Sequence, residues 1–214
     1  TSGGTSLENV HPFSRELWGH HWVFAHNGHL TAFEPKLHGS FQPVGQTDSE
    51  HAFCWLLQEL AKSHAGMPST QELTLTLREL IPQVSRHGTF NMVLSNGIAM
   101  WAHGSTQLYH VERAHPFGEA TLADDDWHID FAQHTTADDR VAVIVTSPLT
   151  ADEHWVAFAP HELRVFEGGK CEAHHGGLDA YTRARAQLAP ATLAMIDETT
   201  REIQARMSQR SCPN

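Results

Sequence analysis

The stretch Trp22-Val23-Phe24-Ala25-His26-Asn27-Gly28 decides the fold of this 214-residue chain. Its first four residues form an apolar run that predicts a buried strand, and Asn-Gly is the commonest signal for a tight turn. The stretch also places a side-chain amide next to a glycine N–H at the end of a rigid element, and two such donors can hold an oxyanion. A plain turn and an anion-binding turn both fit, so the spacing does not distinguish them.

A capped helix is predicted downstream of this strand. Thr47 and Glu50 have the S/T-x-x-E spacing of a capping box, and apolar residues at i, i+3, i+4 and i+7 predict a helix over about 48–62. Asp48 lies in its first turn, where the helix dipole alone stabilises a carboxylate by about 0.3–1 kcal/mol. The same position would suit a carboxylate that receives a substrate ammonium, and both interpretations remain open at this point.

A second helix and a set of strands follow. Ser69 and Glu72 repeat the capping-box spacing ahead of another apolar stripe, in which Pro82 is expected to kink the helix. Asn96-Gly97 predicts a β-hairpin with a type I′ turn. Further strands are predicted over 107–112 as a continuation of this hairpin into a meander, over 141–146 as a central strand buried on both faces, and over 163–166 as the last strand. Residues 178–210 predict a peripheral helical tail.

The composition excludes several classes of protein. Lys and Arg number 14 against 25 Asp and Glu, which gives a net charge of -11 and makes nucleic acid an unsuitable partner. No apolar run approaches the ~20 residues of a membrane-spanning helix. The cysteines are three, Cys54, Cys171 and Cys212, at scattered spacings that build neither a disulfide framework nor a metal knuckle. We therefore expect a cytoplasmic protein from a reducing compartment.

Histidine is the residue whose abundance stands out. Protonation of all 18 histidines would change the net charge from -11 to about +7, because -11 plus 18 is 7, so solubility should depend on pH. The excess also invites a metal-binding hypothesis. His26 and His29 supply at most two neighbouring ligands, however, and a zinc site needs three or four. No metal and no cofactor are therefore expected.

Three motifs occur in order along the chain: Asn9-Val10-His11-Pro12-Phe13, His26-Asn27-Gly28 and Thr47-Asp48-Ser49-Glu50. In order and spacing they resemble the class II glutamine amidotransferases. Further segments are similar to the bacterial YafJ-type branch of that family: Arg15-Glu16-Leu17-Trp18-Gly19, Phe53-Cys54-Trp55-Leu56-Leu57 and Phe90-Asn91-Met92-Val93-Leu94-Ser95. The resemblance implies an α+β fold, the four-layer αββα sandwich of N-terminal-nucleophile hydrolases. It implies a type-2 amidotransferase domain over 1–177 and leaves 178–214 as the helical tail.

The resemblance also implies a reaction. An N-terminal cysteine thiolate attacks the side-chain amide of L-glutamine and forms a thioester that water cleaves to glutamate, with release of ammonia to an acceptor that the sequence does not identify. Asn27 and Gly28 would form the oxyanion hole, and Asp48 would bind the α-ammonium group. Thr1 and His11 would lie at the pocket for the α-carboxylate.

This chain differs from the family pattern at its start. It opens at Thr1 without the nucleophilic cysteine, so we interpret it as lacking the N-terminal portion and first strands of the domain. Cys54 is expected to be a core residue. A rival hypothesis makes Thr1 itself the nucleophile.

Two other functions remain open. The domain could be a catalytically inactive sandwich that acts as a structural or interaction subunit, or it could be a His-rich metal-binding module. A homodimer and a synthase subunit are both compatible with the sequence.

Overall fold

A computed structural model of the protein describes residues 4–124 and 128–175. Within them, besides two single-turn 3₁₀ helices, the chain forms two α-helices and eleven strands, in the order β1 (Phe13–Leu17), β2 (His20–Leu30), α1 (Asp48–Ser63), α2 (Thr70–Ser85), β3 (Gly88–Ser95), β4 (Ala99–Gly104), β5 (Tyr109–Ala114), β6 (Glu119–Thr121), β7 (His128–Asp130), β8 (Arg140–Val145), β9 (Val156–Ala157), β10 (Glu162–Glu167) and β11 (Lys170–His175).

The strands form three antiparallel sheets. The largest has six strands in the order β1-β2-β3-β4-β10-β11, a second has three in the order β8-β5-β9, and β6 pairs with β7. Since side chains alternate between the faces of a strand, the large sheet presents two different apolar surfaces. Other layers can therefore pack against both faces of the six-stranded sheet.

Helices cover one face of the large sheet and the three-stranded sheet covers the other. Phe24 of β2 stacks on Phe53 of α1 with ring centroids 5.2 Å apart, within a core that both helices share. On the opposite face, Phe166 of β10 belongs to a smaller cluster with Phe158 and Ile144 of the second sheet region. The described residues thus form three layers, helix, sheet and sheet.

The two predicted helices are confirmed. Thr47 caps α1 by accepting a hydrogen bond from the N–H of Glu50 at 3.1 Å. At α2 the capping box with Ser69 and Glu72 is complete, and the helix continues through Pro82 to its end. Capping and amphipathic period are both local signals, which is why they were readable from the sequence.

The predicted tight turn at Asn27-Gly28 is wrong, because β2 continues through both residues. It pairs with β3 without interruption from Val23 opposite Ser95 to Leu30 opposite Gly88. A continuous ladder of backbone hydrogen bonds outweighs the local turn preference of the Asn-Gly pair. Asn27 and Gly28, the predicted oxyanion-binding pair, therefore lie within a strand.

The hairpin of β3 and β4 is confirmed, but its type I′ turn is wrong. That turn needs positive φ at two central residues, whereas Gly97 has φ +84° and neither Asn96 nor Ile98 has a positive φ. The Asn96 side chain instead accepts hydrogen bonds from the N–H groups of Ile98 at 3.0 Å and Ala99 at 2.9 Å.

Three strand predictions need correction. The strand over 141–146 is β8, an edge strand of the three-stranded sheet with partly exposed side chains, and is not central. The strand after 107 is β5, which belongs to that second sheet and does not continue the meander of β3 and β4. The strand over 163–166 is β10, and β11 follows it in a hairpin. The predicted tail at 178–210 lies outside the described residues.

Candidate active site

The second half of β2 has an edge that no strand covers within residues 4–124 and 128–175. Strand β1 pairs with β2 only from Leu17 opposite His20 to Phe13 opposite Phe24. The start of α1 lies against the remaining edge, where the Asp48 Oδ2 atom accepts a hydrogen bond from the N–H of Leu30 at 2.7 Å. The helix terminus and the strand edge therefore adjoin.

The N–H of Gly28 points to this same edge. Successive N–H groups of a strand point in opposite directions, so Gly28 and Leu30 are directed alike. Phe90 is the residue opposite Gly28 on β3, and its N–H donates to the Ser105 Oγ atom at 2.7 Å on the far side of β3. The two residues therefore form a non-hydrogen-bonded pair, in which the N–H of Gly28 points away from β3. The N–H groups of Gly28 and Leu30 are about 6.8 Å apart along the edge, at about 3.4 Å per residue.

Only glycine fits at position 28. Its φ is +157°, and a Cβ atom there would overlap the carbonyl oxygen of Thr89 and lie 2.8 Å from the Nε2 atom of His26. Other residues would force β2 and β3 apart. The close approach of the two backbones thus explains this glycine without reference to a turn.

Asn27 projects from the face of β2 that is turned away from the helices, into a cleft of about 240 Å³ between the two sheets. His11, Asn91 and Ile144 also line this cleft. Asn27 is exposed, and its carboxamide makes no hydrogen bond to the described part of the chain. The amide is therefore free to donate to a ligand.

His11 offers a second unpaired group to the cleft. Its Nε2 atom is buried and has no hydrogen-bond partner among the described residues. Burial lowers the pKa of His11, and the negative charge of Asp48 opposes that effect. A buried polar atom without a partner is costly, so a ligand that bonds to it would gain free energy.

His26 holds the helix terminus onto the sheet. Its Nε2–H donates to the Thr89 carbonyl oxygen at 2.9 Å, which leaves Nδ1 to accept from the Ser49 hydroxyl at 2.8 Å. Burial lowers the pKa of His26, in keeping with this neutral form. His26 is thus a structural link and not a free ligand.

Asp48 has a structural role and spare capacity. Its side chain is 7% exposed, and the Oδ1 atom accepts from the N–H of Ser49 at 3.0 Å while Oδ2 accepts from Leu30. His29 Nδ1 lies 3.6 Å from Oδ2. Each carboxylate oxygen has two lone pairs, so an ammonium group can still be accepted.

Glu50 and Asn9 have roles that the sequence did not reveal. The Glu50 carboxylate does not close the predicted capping box at α1. It is 2% exposed, accepts from the N–H of Gly45 at 2.7 Å and forms an ion pair with Arg15. Asn9 Oδ1 accepts from the N–H of Gln46 at 3.0 Å. Together they fix the loop that leads to Asp48. Their presence in the three motifs was the only feature of the sequence that pointed to these roles.

The predicted site residues fall into two neighbouring groups. Asn27 and His11 share the cleft, while the Gly28 N–H and the Asp48 carboxylate share the uncovered edge of β2. Neither Gly28 nor Asp48 lines the cleft itself. Thr1 lies outside the described residues.

Comparisons with known proteins agree with the motifs. A family model of class II glutamine amidotransferases matches residues 1–189. The chain is 46% identical over 165 residues to the Escherichia coli (strain K12) protein "Putative glutamine amidotransferase YafJ", covering 77% of this chain and 65% of that one. A Haemophilus influenzae relative is 42% identical over 170 residues, covering 79% of this chain and 58% of that one.

A solved structure agrees as well. A crystal structure of a "predicted glutamine amidotransferase" from Pseudomonas aeruginosa PA01 superposes with a TM-score of 0.71 at 41% identity, covering 78% of this chain and 66% of that chain. The chain thus spans less than two thirds of the length of each of these relatives. By the family model, the identities and the shared fold, the chain belongs to the class II glutamine amidotransferases.

Proposed function

We propose that this protein hydrolyses the side-chain amide of L-glutamine. A cysteine thiolate attacks the amide carbon of the side chain. The C–N bond then breaks, and the base that took the proton of the thiol gives it to the leaving ammonia. Water then cleaves the thioester to glutamate and restores the thiol. In the family this thiolate belongs to an N-terminal cysteine, whereas the chain here opens at Thr1. Among the described residues, we assign stabilisation of the oxyanion to Asn27 and Gly28 and binding of the substrate to Asp48 and His11.

The observation that carries the proposal is the shared edge of β2. Along it, the N–H of Gly28 lies about 6.8 Å, two residues of extended strand, from the N–H of Leu30, to which the Asp48 carboxylate is hydrogen-bonded. The α-nitrogen and the side-chain amide oxygen of an extended glutamine are roughly 6 Å apart by standard bond lengths. One glutamine can therefore place its ammonium group at Asp48 and its amide oxygen at Gly28.

The remaining groups complete the assignment. Asn27 would donate the second hydrogen bond to the oxyanion, since its carboxamide is exposed and unpaired within the described residues. His11, whose Nε2 atom lacks a partner there, would face the α-carboxylate together with Thr1. The histidine is kept neutral because burial lowers its pKa.

The finer features of the family are part of the same proposal. They are a second helical layer that completes the four-layer αββα sandwich, N-terminal strands that pair with the β2 edge, and assembly as a homodimer or a synthase subunit. The three described layers are compatible with all of them.

The test is ammonia release from L-glutamine by the protein in a form that carries the N-terminal cysteine. Asn27→Ala should lower kcat/KM by about 10²–10³, which is the loss of about 2.7–4 kcal/mol of transition-state stabilisation. Gln71→Ala removes an exposed carboxamide of α2 and should change nothing. An Asn27→Ala protein with full activity would refute the oxyanion assignment. Absence of ammonia in the parent protein would refute the proposed function and favour the inactive interaction subunit.

A further inference from the structure

A second cluster of chemically active side chains lies at the other end of the large sheet. Strand β11 is four strand spacings from β2, about 19 Å at about 4.8 Å each. The cluster is formed by side chains of β5, β10 and β11: His110, Glu112, Glu162, Arg164, Cys171 and His174. The proposed glutamine site uses none of them.

A β-bulge places Cys171 and His174 on the same face. Residues three apart in a regular strand point to opposite faces. The register of β10 and β11 shifts between Val165 and Phe166, so that Phe166 pairs with Cys171 and Arg164 pairs with His174. Since Phe166 and Arg164 are two residues apart and share a face, their partners do too. The Cys-x-x-His spacing thus becomes a pair of converging ligands.

The distances in this cluster suit a metal ion. The Cys171 Sγ atom lies 3.5 Å from the Nε2 atom of His174. A tetrahedral zinc ion with bonds of about 2.3 Å to sulfur and about 2.0 Å to nitrogen separates those two atoms by about 3.5 Å. A carboxylate oxygen of Glu112 lies within 4.8 Å of the same sulfur atom. The mutually close set within 4.8 Å is Glu112, Cys171 and His110, so the Cys171 sulfur atom is the common neighbour of His174 and Glu112.

His174 is already oriented as a metal ligand. Its Nδ1 atom is 3.2 Å from the Oε1 atom of Glu162, to which it donates. The proton of a neutral imidazole is then on Nδ1, and Nε2 presents a lone pair toward Cys171. A histidine ligand whose other nitrogen donates to a carboxylate is the usual arrangement around protein-bound zinc.

His110 has the opposite protonation pattern. The Arg164 guanidinium, which cannot accept a hydrogen bond, donates through Nη1 to His110 Nδ1 at 2.7 Å. The proton of His110 is therefore on Nε2, which lies 3.5 Å from the Oε1 atom of Glu112. His110 can hold the carboxylate in place but cannot ligate a metal while Arg164 occupies its other nitrogen.

The net charge of the cluster is negative and suits a divalent cation. Arg164 contributes one positive charge, Glu112 and Glu162 each contribute one negative charge, and a Cys171 thiolate would bring the sum to two negative charges. A divalent ion neutralises that sum. Without a metal, burial raises the pKa of the Cys171 thiol.

We propose that Cys171 Sγ and His174 Nε2 bind a divalent transition-metal ion, with zinc favoured by the donor set, and that the partly exposed Glu112 side chain turns toward the ion to supply a carboxylate as third ligand. Thiolate, imidazole and carboxylate are all common zinc ligands, and three protein ligands leave one position for water or a bound molecule. Glu162 and His110 orient His174 and Glu112. This site departs from the sequence-based expectation that the protein binds no metal.

The test is metal content and cobalt spectroscopy on the whole chain. The protein should retain one equivalent of zinc after dialysis, and Co²⁺ should produce a thiolate-to-cobalt charge-transfer band. Cys171→Ser should abolish the band, and His174→Ala should weaken cobalt binding at least about 100-fold. His110→Gln should keep both the band and the affinity within about tenfold, because glutamine still donates to Glu112. Circular dichroism of each metal-free variant checks that it folds.

Two controls separate this site from adventitious binding. His134→Ala removes an exposed histidine, and Cys212→Ser removes a thiol outside the described residues; both should leave cobalt binding unchanged. The proposal is overturned if the protein retains no metal, if the charge-transfer band survives Cys171→Ser, or if His110→Gln loses the band while His174→Ala keeps it.

Discussion

His103 allows the pH dependence of stability to be worked out from the structure. It lies in β4 with 2% of its surface exposed. Its Nδ1–H donates to the Glu162 carbonyl oxygen at 3.2 Å, and its Nε2 atom has no partner among the described residues. Burial lowers the pKa of His103 to about 4. The folded protein therefore holds this imidazole neutral through the mildly acidic range.

The sign and size of the effect follow from that pKa. The ordinary pKa is 6.5, so between pH 6.5 and pH 4 the unfolded chain binds more protons at this residue than the folded chain does. Stability from His103 is present above pH 6.5 and is lost as the pH falls. At about 1.4 kcal/mol per pH unit, the total loss is about 3 kcal/mol, of which about 2 kcal/mol is lost by pH 5.

The perturbation is His103→Gln, because glutamine keeps a donor for Glu162 and does not titrate. Urea unfolding, followed by the fluorescence of the buried Trp22 and Trp101, gives the free energy of unfolding at pH 7.5 and pH 5. The stability advantage of the parent over the variant should shrink by about 2 kcal/mol between those values. Other histidines cancel in the difference. His134→Gln, at an exposed position, is the matched control. A difference that stays constant within about 0.5 kcal/mol would mean that folding does not shift the titration of His103.

Three further predictions concern the candidate active site. Asp48→Asn should raise the KM for glutamine about tenfold to 100-fold through loss of a charge-assisted hydrogen bond, and an unchanged KM would contradict the ammonium role. It should cost about 1 kcal/mol of unfolding free energy, because the amide oxygen still accepts from Leu30 while the N–H of Ser49 loses its acceptor. Gly28→Ala should cost about 3 kcal/mol of stability through overlap with Thr89, measured by urea unfolding, and a variant as stable as the parent would show that β2 and β3 tolerate a Cβ there. Arg15→Met leaves the buried Glu50 without its cation and should cost about 3 kcal/mol by the same measurement; a neutral result would mean that the N–H groups around Glu50 suffice.

Local signals account for the parts of the fold that were predictable. The helices at α1 and α2 follow from capping residues and apolar period, and both agree with the structure. The strand over 141–146 shows the limit, because a β-branched run looks the same in a central strand as in a half-exposed edge strand. Its place was decided by pairing with β5, far away in the sequence.

The candidate site also has features that the sequence predicted and features that depend on the fold. The order of three motifs identified Asn27, Gly28, Asp48 and His11 as residues of interest. The pairing of β2 with β3 and the early end of β1 leave the Gly28 N–H on the uncovered edge of β2, where Asp48 accepts from the N–H of Leu30. No residue spacing indicates which edge of a strand stays uncovered.

Sequence reading alone therefore predicted the family, the two helices and the residues of the candidate site, because each depends on residues close together in the chain or on their order. Which of these groups come together depends on how the chain folds in three dimensions. Strand register, a β-bulge beside Cys171 and the recruitment of Glu50 by a distant arginine all arise from contacts between remote segments. Such contacts are selected by burial and backbone hydrogen bonding over the whole sheet, and those energies leave no local pattern in the chain.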